Sequence, residues 1–402
     1  MLWLNCLMVD RSSVNPVGAV GMTDLFQILR DGRPRTRSEL AQLSGLARST
    51  VALRIEILTN LGLVGPVKDA LSTGGRPSSR VALTADDKFV LAVDIGASHV
   101  RIALSNLHGT PLVQDSSDLE IARGPEFVLN WVIQAALALF SSTGRSISGL
   151  LAVGVGLPGP VEHKSGRPIN PPIMPGWDRF DVPGWLQPHF PVPVLVDNDV
   201  NIMALGERAQ AWSNTEDLVF VKIATGIGAG IISGGQLQRG AQGIAGDIGH
   251  IQVARGSAVL CRCGNYGCLE ALASGPALAA YLSAEGTPAL NGQDVVDLVK
   301  AGNFAAIQAV RQAGRDIGEV LTACVSLINP SVIVIGGSMV QVGDQLIAGL
   351  REVVYSRSMP LATQNLQIAQ SSAGANAAVL GASMLAIHHA LSPERIDAMI
   401  GC

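Results

Sequence analysis

Three of the six cysteines in this 402-residue chain fall within eight positions, in the stretch CRCGNYGCLE that starts at Cys261. This spacing restricts what the segment can build. Thiols at CxC spacing pair poorly with each other, and an odd cluster leaves one over, so disulfides account badly for it. Thiolates on a tight, glycine-bearing turn converge readily on one metal ion. Three thiolates are one ligand short of a closed tetrahedron, and the nearest upstream candidate is His250, in GDIGH. Cys261, Cys263, Cys268 and His250 would make a Cys3His set, a recognised structural zinc arrangement. The plainer alternative is three buried thiols on a compact turn. The remaining cysteines, Cys6, Cys324 and Cys402, are scattered, which fits a reducing cytoplasm.

A chain of this length divides into two or three domains and can bury a large core. Hydrophobic residues make up 48% and charged residues 15%, which suits a soluble globular protein and excludes a disordered one. The net charge of −4 hides an asymmetry. Residues 1–80 carry ten Lys+Arg and six Asp+Glu, whereas the remainder carries a net charge of −8. That distribution suggests a small module for a polyanion attached to a larger acidic body. The opening MLWLNCLMV is apolar but short and lacks the flanks of a signal peptide. No run reaches the roughly 18 apolar residues that a membrane span needs. Residues 1–17 read as a flexible arm, and the chain as cytoplasmic with no membrane partner.

Between residues 22 and 30 the apolar positions Leu25, Phe26, Ile28 and Leu29 sit at helical spacing, and Asp31-Gly32-Arg33-Pro34 stops that helix. Thr36 and Glu39 then predict a capping box for a short helix. Gly45 breaks it, and a longer helix is expected from about Arg48 to Asn60, with Val51, Leu53, Ile55 and Leu58 among its apolar positions. Two helices joined by a glycine turn read as a helix-turn-helix. Arg48, Ser49, Thr50 and Arg54 near the start of the second helix are the candidates to meet DNA. Leu63-Val64 and Arg80 to Leu83 can pair as a wing around STGGRPSS. A three-helix cluster that merely packs is the alternative.

From Phe89 the texture changes. FVLAVDIGASHVRIAL reads as strand, turn, strand, with Asp94 closing the first strand and Gly96, Ala97 and Ser98 in the turn. A carboxylate followed by such a hairpin can hold magnesium through water and offer backbone N–H groups to a phosphate. Thr225, Gly226 and Gly228 form a second loop of this type in KIATGIGAGII. Together the loops suggest two lobes around a nucleotide cleft. Between them, the strand in PVPVLVDNDVN delivers Asp197, Asn198 and Asp199 to its carboxyl end, where ligands gather in α/β sheets. A carboxylate there can deprotonate a sugar hydroxyl for attack on a phosphate, with Asn198 orienting that hydroxyl. Alternatively, Asp199 only caps the following helix. Gly336 and Gly337, after the strand in INPSVIVIGG, would let an adenine approach or simply make a strand-to-helix turn.

The order helix-turn-helix, GGRP, DIGAS, VDNDVN, ATGIG, GDIGH, CRCGNYGCLE, IGGS resembles the ROK family, whose name joins repressors, open reading frames and kinases. The likeness runs from about residue 22 to the end, and CxCGxxGCLE is its most specific part. It points to the transcriptional-regulator branch, of the xylose- and N-acetylglucosamine-repressor type. The resemblance implies an α/β protein: an N-terminal winged helix-turn-helix followed by a two-lobed actin-like, ribonuclease-H-like body. The corresponding division is a DNA-binding domain at 18–83, a first lobe at 84–210 and a second, zinc-bearing lobe at 211–402. Carried over by motif, His250, Cys261, Cys263 and Cys268 would bind zinc, and Asp199 would be the catalytic base of a kinase. Gly159, Asn170, Asn198, Asp199, Asp247 and His250 would line the sugar site. Asp94, Gly96, Ser98, Thr225, Gly226, Gly228, Gly336 and Gly337 would face a nucleotide.

The departures from the family's kinase pattern decide the expected function. Ala97, Ala224 and Ala229 stand where kinases of the family usually have glycine, and Asp247 stands where they have glutamate. Each added Cβ can crowd a phosphate or forbid a positive φ. The sugar wall therefore reads as nearly whole and the ATP loops as eroded. The expectation is a sugar-responsive regulator, a repressor of carbohydrate-metabolism genes, that binds a palindromic operator as a homo-oligomer. The alternative is an ATP-dependent sugar kinase with a fused DNA-binding domain, which would use Mg-ATP.

Overall fold

The computed structural model describes residues 25–30, 32–67, 80–83 and 87–400. The expected arm at 1–17 and the segment STGGRPSS, with its GGRP, lie outside the described residues. The chain forms two compact units: residues 1–89, 106–108 and 387–402, and residues 90–105 and 109–386.

In the first unit, residues 25–29 are helical and bury Leu25, Phe26 and Leu29 completely. The helix Arg37–Ser44 starts at the expected capping box. The Thr36 hydroxyl accepts the Glu39 N–H at 3.1 Å, and the Glu39 carboxylate accepts the Thr36 N–H at 2.6 Å. Two helix-start donors are thus satisfied reciprocally. Gly45 at φ +70° ends the helix in a conformation that a Cβ disfavours, and the helix Arg48–Asn60 follows. The strands Val64–Val67 and Arg80–Leu83 pair antiparallel, Val64 opposite Leu83, as expected of a wing. A third strand, Arg35–Thr36, joins the other side of Arg80–Leu83. At two residues it carries no alternation for a sequence reading to detect. The Gln27 side chain donates to the Leu391 carbonyl at 3.2 Å. Residues from 387 onward thus group with this unit, whereas the sequence reading put them in the second lobe.

The second unit is α/β and contains two five-stranded sheets. The first runs Val194–Asn198, Leu150–Leu157, Phe89–Ile95, Val100–Asn106, Pro111–Ser117. The second runs Gln367–Gln370, Val332–Gly336, Leu218–Ile223, Ile227–Ser233, Gln236–Gln238. Counted in chain order within each lobe, and apart from the small hairpin Val161–Glu162 with Arg167–Pro168, both sheets have the order 5-4-1-2-3. In both, the fourth and fifth strands are parallel and the second and third antiparallel. One strand order used twice places the two strand-to-strand hairpins, after Ile95 and after Ile223, at equivalent points.

The helices Asp199–Ala211 and Ala377–Ala390 share one core with both sheets. Ala92 and Ala103 contribute from the first sheet, and Phe220, Ile232 and Val334 from the second. A Cβ on Gly206 would overlap the Ala377 carbonyl oxygen, and one on Gly381 would overlap that of Ile202. The two helix backbones touch here because neither residue has a side chain. On the far face of the second sheet, Val310, Ile317 and Leu321 of Phe304–Ile328 pack with Leu350 of Asp344–Arg357.

Among the described residues one helix, Pro125–Thr143, is long and apolar enough to cross a membrane by length and composition, although its apolar residues form no unbroken run of about 18. Its Val128, Leu129, Val132, Ile133 and Ala136 are buried within the protein, as in a core helix. The helix crossing generates a prediction. Gly381→Ala should lower stability by about 1–3 kcal/mol, the usual cost of overpacking, read from urea unfolding of the full chain.

Candidate functional site

The strand Val194–Asn198 runs directly into the helix Asp199–Ala211, so Asp197, Asn198 and Asp199 meet at one strand end. Each has a different task. Asp197 is buried: Oδ1 accepts the Asn198 N–H and the Asn201 side-chain amide, both at 2.8 Å, and Oδ2 accepts Arg239 Nε at 2.7 Å. It ties the first lobe to the segment after Gln236–Gln238. His163 Nδ1 lies 4.0 Å from the same oxygen. Burial and the Arg239 charge pull the His163 pKa down, partly offset by Asp197.

Asn198, not Asp199, is the helix cap: its Oδ1 accepts the Val200 N–H at 2.9 Å. Its Nδ2 donates to the Gly159 carbonyl at 2.9 Å, leaving one side-chain N–H for a ligand. Asp199 is the first helical residue, where the helix dipole favours a negative charge. Its buried carboxylate forms an ion pair and hydrogen bond with Lys222 Nζ. The alternative role of Asp199 as a cap is thereby corrected. Gly159 is held beside this group by the Asn198 bond, and a Cβ on it would meet Pro171, the neighbour of Asn170, at 3.2 Å. Asn170 is exposed at φ +46°, its N–H donating to Asp178 at 2.8 Å.

The four candidate metal ligands converge. One ligand atom from each of His250, Cys261, Cys263 and Cys268 lies within 4.8 Å of the others. Cys261 Sγ is 3.7 Å from His250 Nδ1, and Cys263 Sγ is 3.6 Å from Cys268 Sγ. A tetrahedron with metal–sulfur bonds of about 2.3 Å has edges of about 3.8 Å, so the set fits a tetrahedral ion. Without a cation the thiols would differ. A hydrogen bond from Asn265 helps bring the Cys263 pKa down to about 7, whereas burial and the neighbouring sulfurs push Cys268 up to about 12. With Nδ1 toward the sulfurs, His250 turns Nε2 toward Asp247, whose Oδ1 is 4.0 Å away. The Glu270 carboxylate, at the end of the same motif, accepts the Ile227 N–H at 3.1 Å and so clips the second hairpin turn.

Both hairpin turns form as expected. Gly96 N–H donates to the His99 carbonyl at 2.8 Å, and Ala224 N–H to the Gly226 carbonyl at 3.0 Å. Neither Ala97, Ala224 nor Ala229 takes a positive φ, so none strains the backbone. What lies at the turns differs from a phosphate cradle. The His99 ring packs on Gly96 so closely that a Cβ there would overlap it. Asp94 is buried, with His99 Nε2 at 3.4 Å and Arg101 Nη1 at 3.9 Å. Ser98 and Thr225 are exposed on their turns. Gly228 packs against Val200, and a Cβ on Gly226 would lie 2.7 Å from the Glu270 carboxylate. At Gly336 and Gly337 the structure shows a packing reason for glycine. A Cβ on Gly336 would strike the Phe220 ring and one on Gly337 the Ile223 carbonyl, so both glycines serve packing against the neighbouring strand. Lys222, His99, Arg101, Arg239 and Glu270 had no assigned role in the sequence reading. The one available signal was a lysine inside the otherwise apolar LVFVKI.

On the helix Arg48–Asn60, Arg48 and Ser49 are exposed and Thr50 is partly so. The buried stripe is Val51, Arg54, Ile55 and Leu58, while Leu53 is 59% exposed. Arg54, with 6% exposure, is therefore removed from the candidate DNA contacts, because its side chain lies on the packed face.

Known proteins share this architecture. A solved ROK family transcriptional regulator, homolog of the Escherichia coli MLC protein, superposes with a TM-score of 0.82 at 23% identity, covering 96% of this chain and 98% of that one. The xylose repressor of Bacillus spizizenii is 28% identical over 368 residues, 91% of this chain and 94% of its own. A glucokinase of Halalkalibacterium halodurans is 27% identical over 325 residues, but these span 77% of this chain against 98% of the glucokinase. The ROK family profile itself matches residues 90–389, and the chain therefore belongs to the ROK family.

Proposed function

We propose that the protein is a sugar-responsive, DNA-binding transcriptional repressor of carbohydrate-metabolism genes. The observation that carries this reading is the reach of the repressor likeness. An alignment covering 91% of the chain extends well into the residues before 90, which the family profile leaves out. Those residues hold the capping box at Thr36, the Gly45 turn and the exposed start of Arg48–Asn60. In this reading residues 18–83 are the DNA-binding domain, and 84–210 and the residues from 211 are the two lobes of the sensor, with the segment from 387 grouped with the first unit. Arg48, Ser49 and Thr50 meet an operator, and Gly159, Asn170, Asn198, Asp199, Asp247 and His250 meet the sugar. If sugar binding changes DNA affinity, DNA changes sugar affinity by the same factor. A single helix-turn-helix makes few base contacts, so a dimer on a palindrome is expected, with half-sites about 34–36 Å apart or a multiple of that.

His250, Cys261, Cys263 and Cys268 hold zinc in this proposal. The ion keeps Nδ1 of His250 engaged and leaves Nε2 for a sugar hydroxyl beside Asp247, so the clip shapes one wall of the site. The kinase reading has Asp199 in its favour and the Asp199–Lys222 pair against it.

Three outcomes are expected. Elemental analysis of native protein should find one zinc per chain, and Cys268→Ser should lose it with a lower melting temperature, since structural zinc contributes directly to folding. A fluorescence-anisotropy titration should show Arg48→Ala weakened on operator DNA. Loss of a phosphate contact would flatten the salt slope by about one unit, and loss of a guanine contact would relax specificity by about 1–3 kcal/mol; binding equal to native would remove this helix as the reader. A coupled assay across hexoses and N-acetylhexosamines should stay far below the ordinary kinase range of about 1–100 s⁻¹. Turnover within that range, abolished by Asp199→Asn, would favour the kinase.

A further inference from the structure

Asp94 is the next-to-last residue of the strand Phe89–Ile95, and Lys222 is the next-to-last residue of Leu218–Ile223. Each strand is the first of its lobe, and each is followed by a hairpin turn. Because the two sheets share one strand order, these residues are positional counterparts, of opposite charge. Lys222 reaches across to Asp199, at the end of the first lobe's fifth strand, and pairs with it. We propose that Lys222 is a built-in counter-cation: it takes the place that a magnesium-nucleotide would need beside Asp199 and Asp94, so this chain takes its sugar without nucleotide.

The residues present do not fit Mg-ATP, for four reasons. First, the Lys222 ammonium is already bonded to Asp199 Oδ2, so the positive charge beside that carboxylate comes from the chain itself. The ammonium stays charged. Burial favours the neutral amine, but Asp199, Asp94 and Glu270 together outweigh it and hold the Lys222 pKa above its usual value. Second, Asp94 is 3% exposed, and its Oδ2 already faces His99 Nε2 and Arg101 Nη1, the positions from which the water shell of a magnesium ion would have to reach it. Third, the first turn is covered, since the His99 ring lies on Gly96 where a phosphate oxygen would have to approach. Fourth, the second turn gives its Ile227 N–H to the Glu270 carboxylate, which would repel a phosphate. Asp199 and Asp94 thus face cations of the chain itself, and Glu270 faces a backbone N–H. Phosphoryl transfer needs positive charge directed at the phosphates, and here Lys222 and Arg101 face carboxylates instead.

The inference rests on the sugar-binding reading of this cleft. Its test uses neither sugar nor DNA, so the failure of one is separable from the failure of the other. Manganese electron paramagnetic resonance, with and without ADP, is read on the zinc-loaded full chain, on Lys222→Thr, and on His99→Ala/Lys222→Thr. Native protein should leave the Mn-ADP signal unchanged, and the double variant should bind Mn-ADP at least about tenfold more tightly than native. Mn-ADP binding by native protein that is lost in Asp94→Asn would overturn the proposal. So would folded variants, with circular dichroism and zinc content intact, that gain no binding. Should the variants fail to fold, acetylation of native lysines followed by mass spectrometry decides. Lys222 modified as fast as the exposed Lys164 would overturn the proposal, and modification at least about tenfold slower would sustain it.

Discussion

Contact between the helices Asp199–Ala211 and Ala377–Ala390 through Gly206 and Gly381 is the constraint on which the cleft depends. Without side chains at the crossing, the two backbones meet and the two sheets close on a single core. The first of these helices begins at Asp199, so the packing that joins the lobes also sets the position of that carboxylate. Across the lobes, Lys222 near the end of the second lobe's first strand pairs with Asp199 at the start of this helix.

The cleft therefore has two differently built sides. On one, His250 sits among the candidate metal ligands with one ring nitrogen toward Asp247, and Asn198 caps its helix and bonds Gly159 with one side-chain N–H left over. On the other, Asp94, His99, Arg101, Asp199, Lys222 and Glu270 satisfy one another or the backbone. On the reading proposed above, the first side takes the sugar and the second takes no nucleotide. The alanines at positions 97, 224 and 229, which mark the departure in the sequence, are a lesser cause than the side chains that fill the space. None of the three takes a positive φ.

Local patterns were legible wherever the physics is local. The Thr36–Glu39 capping box, the Gly45 stop, the turn after Asp94 and the convergence of four metal ligands all depend on residues close in the chain or on one specific spacing. Even there, residue type misled once. The stripe Val51, Arg54, Ile55, Leu58 has ideal helical periodicity, yet their chemistry groups Leu53 with the apolar positions and Arg54 with the DNA contacts. The period of the helix outweighed the polarity of the side chain. The cap on the helix after Val194–Asn198 went to Asn198 and not to Asp199, since the helix starts one residue earlier than the sequence suggested.

By itself the sequence determined the family, the α/β character, the two hairpin turns and the residues that gather at the strand end, because each is written in short-range spacing. Only the tertiary structure decided what those residues do. Lys222 and Asp199 are separate motifs in the chain and one ion pair in the fold. Gly336 and Gly337 look like a ligand's approach until Phe220 and Ile223 occupy the space beside them. A charge's partner and the atom beside a missing side chain are set by how the sheets stack, and no local pattern encodes that.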